Sequence, residues 1–329
     1  MNKIMPYVEL LMAQPHFKPV PLSIQINITN RCASKCYFCR KYEWPQEEVD
    51  IKDFKSIVRQ FASLGGKSIV LSGGDPLSYS NFVEAIDIVK ENGIAVGVFT
   101  SLVSKNNDNL SCLASKVDKV RVSLDAADKS KYKYIRGVDS FDLVIKNLHD
   151  IAAIRRVEKL EKIKLNVVVT RDNISQLMDI SNLAGLSGCN VDYCSVHTYD
   201  KLRCDVKISK EIFNELAKVE YNNIYELDFD SFLSPICFIP KFHAVIDTDL
   251  SVYPCCRMLN DNGDYDYAKK MSVGNLKRRD NSLEYLMALS IETFYEAPKR
   301  FDICRMCDRY RNVNNEIFNY LYNKKRIFI

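Results

Sequence analysis

The chain lacks a long apolar run: its 329 residues hold nothing near the ~18 consecutive apolar residues that a spanning helix needs, so no transmembrane helix is expected. It also lacks a secretory start. Met1 to Val20 carries Glu9, Gln14, His16 and Lys18, and Pro6, Pro15 and Pro19 break any apolar stretch, so no signal segment is read there. There is little net charge, 46 Lys and Arg against 42 Asp and Glu, which is too even to argue for a nucleic-acid partner. No low-complexity tract occurs, and no repeat beyond a strand–helix alternation. What remains is an ordinary globular composition, 47% hydrophobic and 27% charged, long enough for one barrel-sized domain or two smaller ones.

Against that background the abundant residue is cysteine, 12 in all. A chain of this size needs no disulfide staples, and the absence of a signal segment makes a cytoplasmic location the expectation. Clustered thiols in that setting hold metal more often than they pair.

Short Val- and Ile-rich runs at Ile24–Ile28, Ser68–Leu71, Ile94–Phe99, Lys119–Leu124, Leu165–Thr170 and Val191–Val196 have the length and flanking turns of buried parallel strands. Helical patterns fill the gaps: Ile51–Leu64 behind a capping Asp50, Asn81–Asn92, Leu110–Val117, Phe141–Val157 and Ile174–Leu186,. Six such units predict an α/β fold with a parallel sheet, open or partly closed into a barrel, with ligands outside the carboxyl ends of the strands. After Asp205 the alternation stops. Ile208–Val219 reads as one more helix, 221–234 as an acidic aromatic connector, and Phe242–Ile246 with Leu250–Tyr253 as a hairpin. The expected divisions are 1–22, 23–205, 206–234 and 235–329.

The first strand runs into Cys32-Ala33-Ser34-Lys35-Cys36-Tyr37-Phe38-Cys39. Three thiolates can hold three irons of a cubane and leave the fourth iron open. A structural zinc site needs a fourth ligand, and the nearest histidine is His16, beyond a proline-rich stretch. This loop, with an aromatic before its last cysteine, resembles the signature of the radical S-adenosylmethionine (SAM) superfamily. Leu71-Ser72-Gly73-Gly74-Asp75-Pro76 resembles that family's Gly-Gly-Glu-Pro segment, with Asp for Glu. Val120–Asp125 resembles its fourth strand and Ile135-Arg136-Gly137 its downstream Arg-Gly pair. The resemblance implies a partial (β/α)6 TIM-like barrel and a 4Fe-4S cluster on Cys32, Cys36 and Cys39. It also implies SAM contacts from Phe38, Gly73, Gly74, Asp75, Pro76, Ser123, Arg136 and Asn166, with Arg136 on the SAM carboxylate.

A second group comprises Cys237, Cys255, Cys256, Cys304 and Cys307. Its context, with Val252-Tyr253-Pro254-Cys255 and Val273-Gly274-Asn275-Leu276, resembles the SPASM/twitch extension of radical SAM enzymes. In its twitch form this is a small domain of a β-hairpin plus a helix with one auxiliary 4Fe-4S cluster, mapped here to Cys237, Cys255, Cys304 and Cys307. Leu250 stands where that family has Gly, so the hairpin turn is expected to use Asp247 and Asp249. A zinc knuckle on Cys255, Cys256, Cys304 and Cys307 is the competing reading. Of the five thiols outside the seven assigned cluster ligands, Cys112, Cys189, Cys204 and Cys256 read as small buried hydrophobes. Cys194, on the sixth strand near Asp192 and His197, is the candidate hydrogen-atom donor.

The resemblance implies reductive cleavage of SAM to a 5′-deoxyadenosyl radical that abstracts hydrogen from a substrate C–H bond. The expected substrate is a small polar metabolite, such as a sugar or aminocyclitol, undergoing oxidation or epimerisation, with the auxiliary cluster taking up or relaying electrons. A peptide-modifying maturase is the alternative, set second because the barrel begins within ~23 residues of Met1 and leaves no leader-binding domain before it. Flavodoxin or ferredoxin is the expected electron donor. A non-catalytic, zinc-stabilised binding module is the reading from another class. The basic, aromatic stretch from Lys299 to Arg326 is read as a solvated helix face, with neither nucleic acid nor membrane as partner.

Overall fold

Seven strands in chain order, β1 (Ser23–Thr29), β2 (Ser68–Gly73), β3 (Ala95–Thr100), β4 (Lys119–Ser123), β5 (Lys164–Val169), β6 (Asn190–Ser195) and β7 (Asn222–Ile224), lie side by side and parallel. The protein is seen in a computed structural model that describes residues 22–39, 41–158, 160, 163–195, 210–219, 222–224, 237, 239–256, 269–294, 315 and 317. Between the strands run α1 (Ile51–Ser63), α2 (Phe82–Glu91), α3 (Asn107–Ser115), α4 (Lys129–Arg136), α5 (Phe141–Val157), α6 (Leu177–Leu186) and α7 (Lys210–Ala217). The sheet does not close on itself; of the two arrangements left open by the six strand–helix units, the architecture is the partial barrel that the family resemblance implies.

Why β1 sits at its centre is written in its alternation. Ile24, Ile26 and Ile28 are fully buried in the helix-side core, while Gln25, Asn27 and Thr29 take the other face, as a two-residue period requires. Helix α1 answers with Phe54, Ile57, Val58 and Phe61, all buried, each contributing roughly 1.5–3 kcal/mol by leaving water. Asp50 caps it, accepting from the Lys52 amide at 2.8 Å. This helix was legible because cap, apolar stripe and Gly65-Gly66 stop agree.

Three elements were not expected. Helix α4 is polar enough to hide, with Tyr132, Ile135 and Arg136 as its buried residues. Strand β7 falls in the stretch read as a connector, and β10 (Gly274–Asn275) is two residues long.

The hairpin does form, as β8 (His243–Ile246) and β9 (Ser251–Tyr253). β8 joins the same sheet, parallel to β1 with Ser23 opposite His243 and Ile26 opposite Ile246. The ten-strand order is β10-β9-β8-β1-β2-β3-β4-β5-β6-β7. Helix α8 (Leu283–Phe294) completes the hairpin-plus-helix unit, burying Leu283, Leu286 and Met287. At the turn, Leu250 adopts φ +69°, the left-handed region that glycine takes without penalty. Its amide donates to the Asp247 carbonyl at 2.9 Å, and the Asp249 carboxylate accepts from the Ser251 amide at 3.0 Å. The two aspartates thus build the turn where glycine was missing.

Candidate functional site

Everything the parallel strands offer at their carboxyl ends converges on the loop after β1. Asn30 is tied down first: its amide donates to Glu47 O at 2.9 Å, and its side chain donates to Pro45 O at 2.9 Å and Thr248 Oγ1 at 3.0 Å. The return limb therefore closes over the start of the cysteine loop, and the hairpin turn touches it.

The Gly73-Gly74-Asp75 segment acts on this same backbone. The Gly74 amide donates to Thr29 O at 2.7 Å and the Asp75 amide to Arg31 O at 2.8 Å. An added Cβ would lie 2.2 Å from Thr29 O at Gly73 and 2.3 Å from Arg31 O at Gly74. The two glycines are required by the approach of the cysteine loop's own backbone, before any ligand is considered. Asp75 is 1% exposed. Its carboxylate accepts from the Leu77 amide at 3.0 Å, the Thr100 hydroxyl at 2.8 Å, the Ser101 amide at 2.8 Å and the Ser101 hydroxyl. It is thus a bracket between the ends of β2 and β3, with its carboxylate turned away from the surface. Pro76 follows as the first residue of a short 3-10 turn.

The other side of the loop is held by the end of α4. The Lys35 amide donates to Arg136 O at 2.9 Å and the Tyr37 amide to Ile135 O at 3.2 Å. Gly137 approaches so closely that a Cβ would lie 2.4 Å from Lys35 O. Tyr37 Oη donates to Asp172 at 2.9 Å, fastening the loop to the end of β5, and Phe38 packs edge-on to Tyr37.

The three thiols are thereby set in one region, near enough that the Cys39 charge acts on both Cys32 and Cys36, and the Cys32 charge on Cys36. Burial pushes the Cys36 thiol up to about 12, and burial followed by the Asp75 charge pushes Cys32 up to about 11. Metal binding must therefore displace protons from both. Among the described residues no three Cys, His, Asp or Glu side chains converge on a single-ion site. A cubane asks for something else, since its ligands bind three different irons. The surrounding polar groups also suit a charged guest. Ser34 Oγ, Tyr132 Oη and Arg136 Nε are buried without a hydrogen-bond partner among the described residues, which costs stability unless something completes them.

Arg136 departs from the expected placement. It is turned inward, 6% exposed, with Nη1 donating to Asp125 at 2.8 Å. Burial opposes its charge, while Cys36, Asp125 and Tyr132, each in its ionised form, hold it above the ordinary arginine value. In this position it is a cation behind Cys36 rather than an exposed fork for a carboxylate. Asp125 and Tyr132 were not singled out by sequence. Asp125 directly follows the Ser123-Leu124 strand end and carried the only available hint.

Ser123 and Asn166 are cross-strand partners on β4 and β5. The Ser123 hydroxyl has no hydrogen bond among the described residues, so it is available. Arg121, Lys164 and Asp192 share their face of the sheet, and the two cations reach the buried Asp192 carboxylate at 3.2 and 3.3 Å. Cys194 occupies the β6 position opposite Val168, two residues beyond Asp192; its side chain, His197 and Cys204 lie outside the described residues. Cys112, Cys189 and Cys256 are buried, as small hydrophobes are.

Of the second cysteine group, Cys304 and Cys307 lie outside the described residues. Cys237 precedes β8 and Cys255 follows β9, so the hairpin brings both to its open end, while its turn lies beside Asn30. Cys255 is partly exposed and Cys256 is buried.

Comparison with known proteins follows the same division. A model of the radical SAM superfamily matches residues 26–184, and one of the SPASM iron–sulfur cluster-binding domain matches residues 237–308. The second match begins at Cys237 and takes in Cys255, Cys304 and Cys307. A probable GTP 3′,8-cyclase of Pyrococcus abyssi is 30% identical over 171 residues, 50% of this chain and 53% of that protein. The chain thus spans about half the length of the first curated relatives it matches. A tungsten-containing aldehyde ferredoxin oxidoreductase cofactor-modifying protein of Pyrococcus furiosus is 26% identical over 283 residues, 78% of each chain. In fold, Streptococcus suis SuiB bound to SAM covers 90% of this chain and 74% of its own at TM-score 0.64 and 16% identity. The structure of anSMEcpe with bound SAM and a peptide covers 92% and 98% at TM-score 0.63 and 17% identity. The cofactors of such a chain are SAM and iron–sulfur clusters, a 4Fe-4S cluster at the barrel with further cluster binding in the SPASM domain, and the thiols and orphaned donors around Cys36 fit the first of these. The chain belongs to the radical SAM superfamily and carries a C-terminal SPASM iron–sulfur cluster-binding domain.

Proposed function

We propose that this chain is a radical SAM enzyme that holds its SAM-binding cluster on Cys32, Cys36 and Cys39 and acts on a small polar substrate. The observation that carries the reading is the clamped loop. The return limb at Glu47, the Asp75 amide and the α4 terminus all hydrogen-bond the backbone of residues 30–37, which supports a shared ligand role for the three thiols at the carboxyl ends of the strands. When bound, the cluster and SAM supply a 5′-deoxyadenosyl radical able to take hydrogen from a C–H bond.

The chain's own residues prepare for that chemistry. The Ser72–Gly74 backbone and the Ser123 hydroxyl offer polar groups toward SAM, with Asn166 alongside. Arg136 places a positive charge behind the thiolates. Substrate preference rests on the polar sheet face, where Gln25, Asn27, Arg121, Lys164 and Asp192 replace an apolar lining. Groups of that kind recognise hydroxyls and charges rather than alkyl chains. Cys237, Cys255, Cys304 and Cys307 are assigned to one auxiliary cluster that accepts or relays an electron, with a flavodoxin or ferredoxin as external donor. Cys194 is assigned as the hydrogen donor of an epimerisation.

The test has two parts. Anaerobically purified protein should contain about eight irons with matching sulfide; stoichiometric zinc without iron would leave the binding-module reading standing. Reductant-dependent 5′-deoxyadenosine should then rise with sugars or aminocyclitols. The structures similar in fold include SuiB bound to its precursor peptide SuiA, so peptides form the second arm. Stimulation by peptides alone would overturn the small-substrate reading.

A further inference from the structure

Two buried donors on one face of α4 have no acceptor among the described residues. Tyr132 is 0% exposed and its hydroxyl, close to the Arg136 guanidinium, donates to nothing; Arg136 is 6% exposed and its Nε–H likewise finds no acceptor, although Nη1 is held by Asp125. The two residues are four apart, which stacks them on one side of the helix. That side is set against Cys36, because the amides flanking this cysteine, Lys35 and Tyr37, donate to the carbonyls of Arg136 and Ile135. Mutual charge effects link the same three groups: Cys36 acts on both Tyr132 and Arg136, and Arg136 acts on Cys36. Cys36 itself is 7% exposed, so water is a poor candidate to complete these donors.

Leaving two buried donors open costs stability, and two such atoms on the side of α4 nearest the cysteine loop ask for an acceptor that arrives later. A sulfide of a bound cluster is that acceptor, since the Cys36 sulfur is already in place and neither donor is bonded to it. Hydrogen bonds to cluster sulfur stabilise the more negative, reduced state and so raise the reduction potential. Asp125 sets the Arg136 orientation through its 2.8 Å ion pair and is itself held by the Val168 amide at 2.8 Å, so the donors are fixed in advance.

We propose that the Tyr132 hydroxyl and the Arg136 Nε–H donate hydrogen bonds to a sulfide of the cluster held at Cys36, and thereby set how readily the SAM-binding cluster is reduced. This rests on the assignment of that cluster to the Cys32–Cys39 loop.

The experiment is an anaerobic redox titration of the reconstituted enzyme, followed by electron paramagnetic resonance of the SAM-binding cluster. Tyr132→Phe keeps the ring and removes the donor. It should lower the reduced-to-oxidised ratio at fixed potential by three- to tenfold, a downward shift of roughly 30–60 mV at 59 mV per tenfold for one electron. Replacing Tyr132 with 3-fluorotyrosine keeps the shape and strengthens the donor, and should move the potential upward. Opposite signs separate a hydrogen bond from general disruption, and the fluorinated protein keeps the question answerable if Tyr132→Phe does not fold. Equal potentials in wild type and in either variant, at equal iron content, would overturn the inference. A sample in which the loop cysteines hold no iron would instead refute the cluster assignment on which it rests.

Discussion

The Arg136 guanidinium meets the Asp125 carboxylate at 2.8 Å in a place where the two side chains are 7% and 0% exposed. Removing one partner of such a pair strands the other charge in a poor solvent, a loss of about 3–5 kcal/mol. Asp125→Ala is therefore expected to lower unfolding free energy by ~3 kcal/mol or more in anaerobic urea titrations. A loss under ~1 kcal/mol would mean that the pair is solvated and surface-like.

Gly74 and Gly97 make a matched contrast. A Cβ at Gly74 meets Arg31 O at 2.3 Å and Asn30 O at 2.5 Å, both backbone atoms that cannot swing aside, whereas at Gly97 the nearest atom is 3.6 Å away. Gly74→Ala should displace the cysteine loop and reduce iron retained at the barrel cluster severalfold. Gly97→Ala should keep wild-type iron and change stability by no more than ~1 kcal/mol. Equal iron in both variants would show that the loop does not depend on this close approach.

The elements that sequence could supply were those with a local period. Ile24, Ile26 and Ile28 announce β1, and the α1 stripe from Phe54 to Phe61 announces itself. What could not be read were partners brought together from distant segments. Asp75 is placed with SAM by its motif, but nothing local foretells that Thr100 and Ser101 at the end of β3 bind its carboxylate. Arg136 resembles a carboxylate-binding arginine until Asp125 is seen beside it. β7 and β10 are too short to carry any period at all.

Leu250 carries opposing effects. Its left-handed backbone costs ~1–2 kcal/mol for a residue with a Cβ, while its side chain is 3% exposed in the core and its truncation loses ~2–5 kcal/mol. Leu250→Gly relieves the strain and loses the packing, so a net loss of ~1–3 kcal/mol is expected. Leu250→Ala loses the packing and keeps the strain. Thermal or urea unfolding should rank Gly above Ala here, the reverse of the usual order within a helix or strand; Ala at or above Gly would mean that the turn is unstrained.

The hairpin is coupled to the barrel through Asn27, whose Nδ2 donates to Asp247 Oδ1 at 2.8 Å with both side chains buried. Asp247→Ala leaves that donor unsatisfied, a loss of about 1–3 kcal/mol. Hydrogen exchange should accelerate in β8 and in the 247–250 turn more than in β3 or β4. Uniform acceleration would place the effect on global stability instead.

The central claim is that Cys32, Cys36 and Cys39 are held ready for a cluster that cleaves SAM. Its most direct test measures 5′-deoxyadenosine from anaerobically reconstituted protein given SAM and a strong reductant. The account predicts product from wild type, none from Cys32→Ala, Cys36→Ala or Cys39→Ala, and residual product from Cys304→Ala and Cys307→Ala. Product from the three loop variants at wild-type levels, or none from a wild-type sample with full iron, would contradict it.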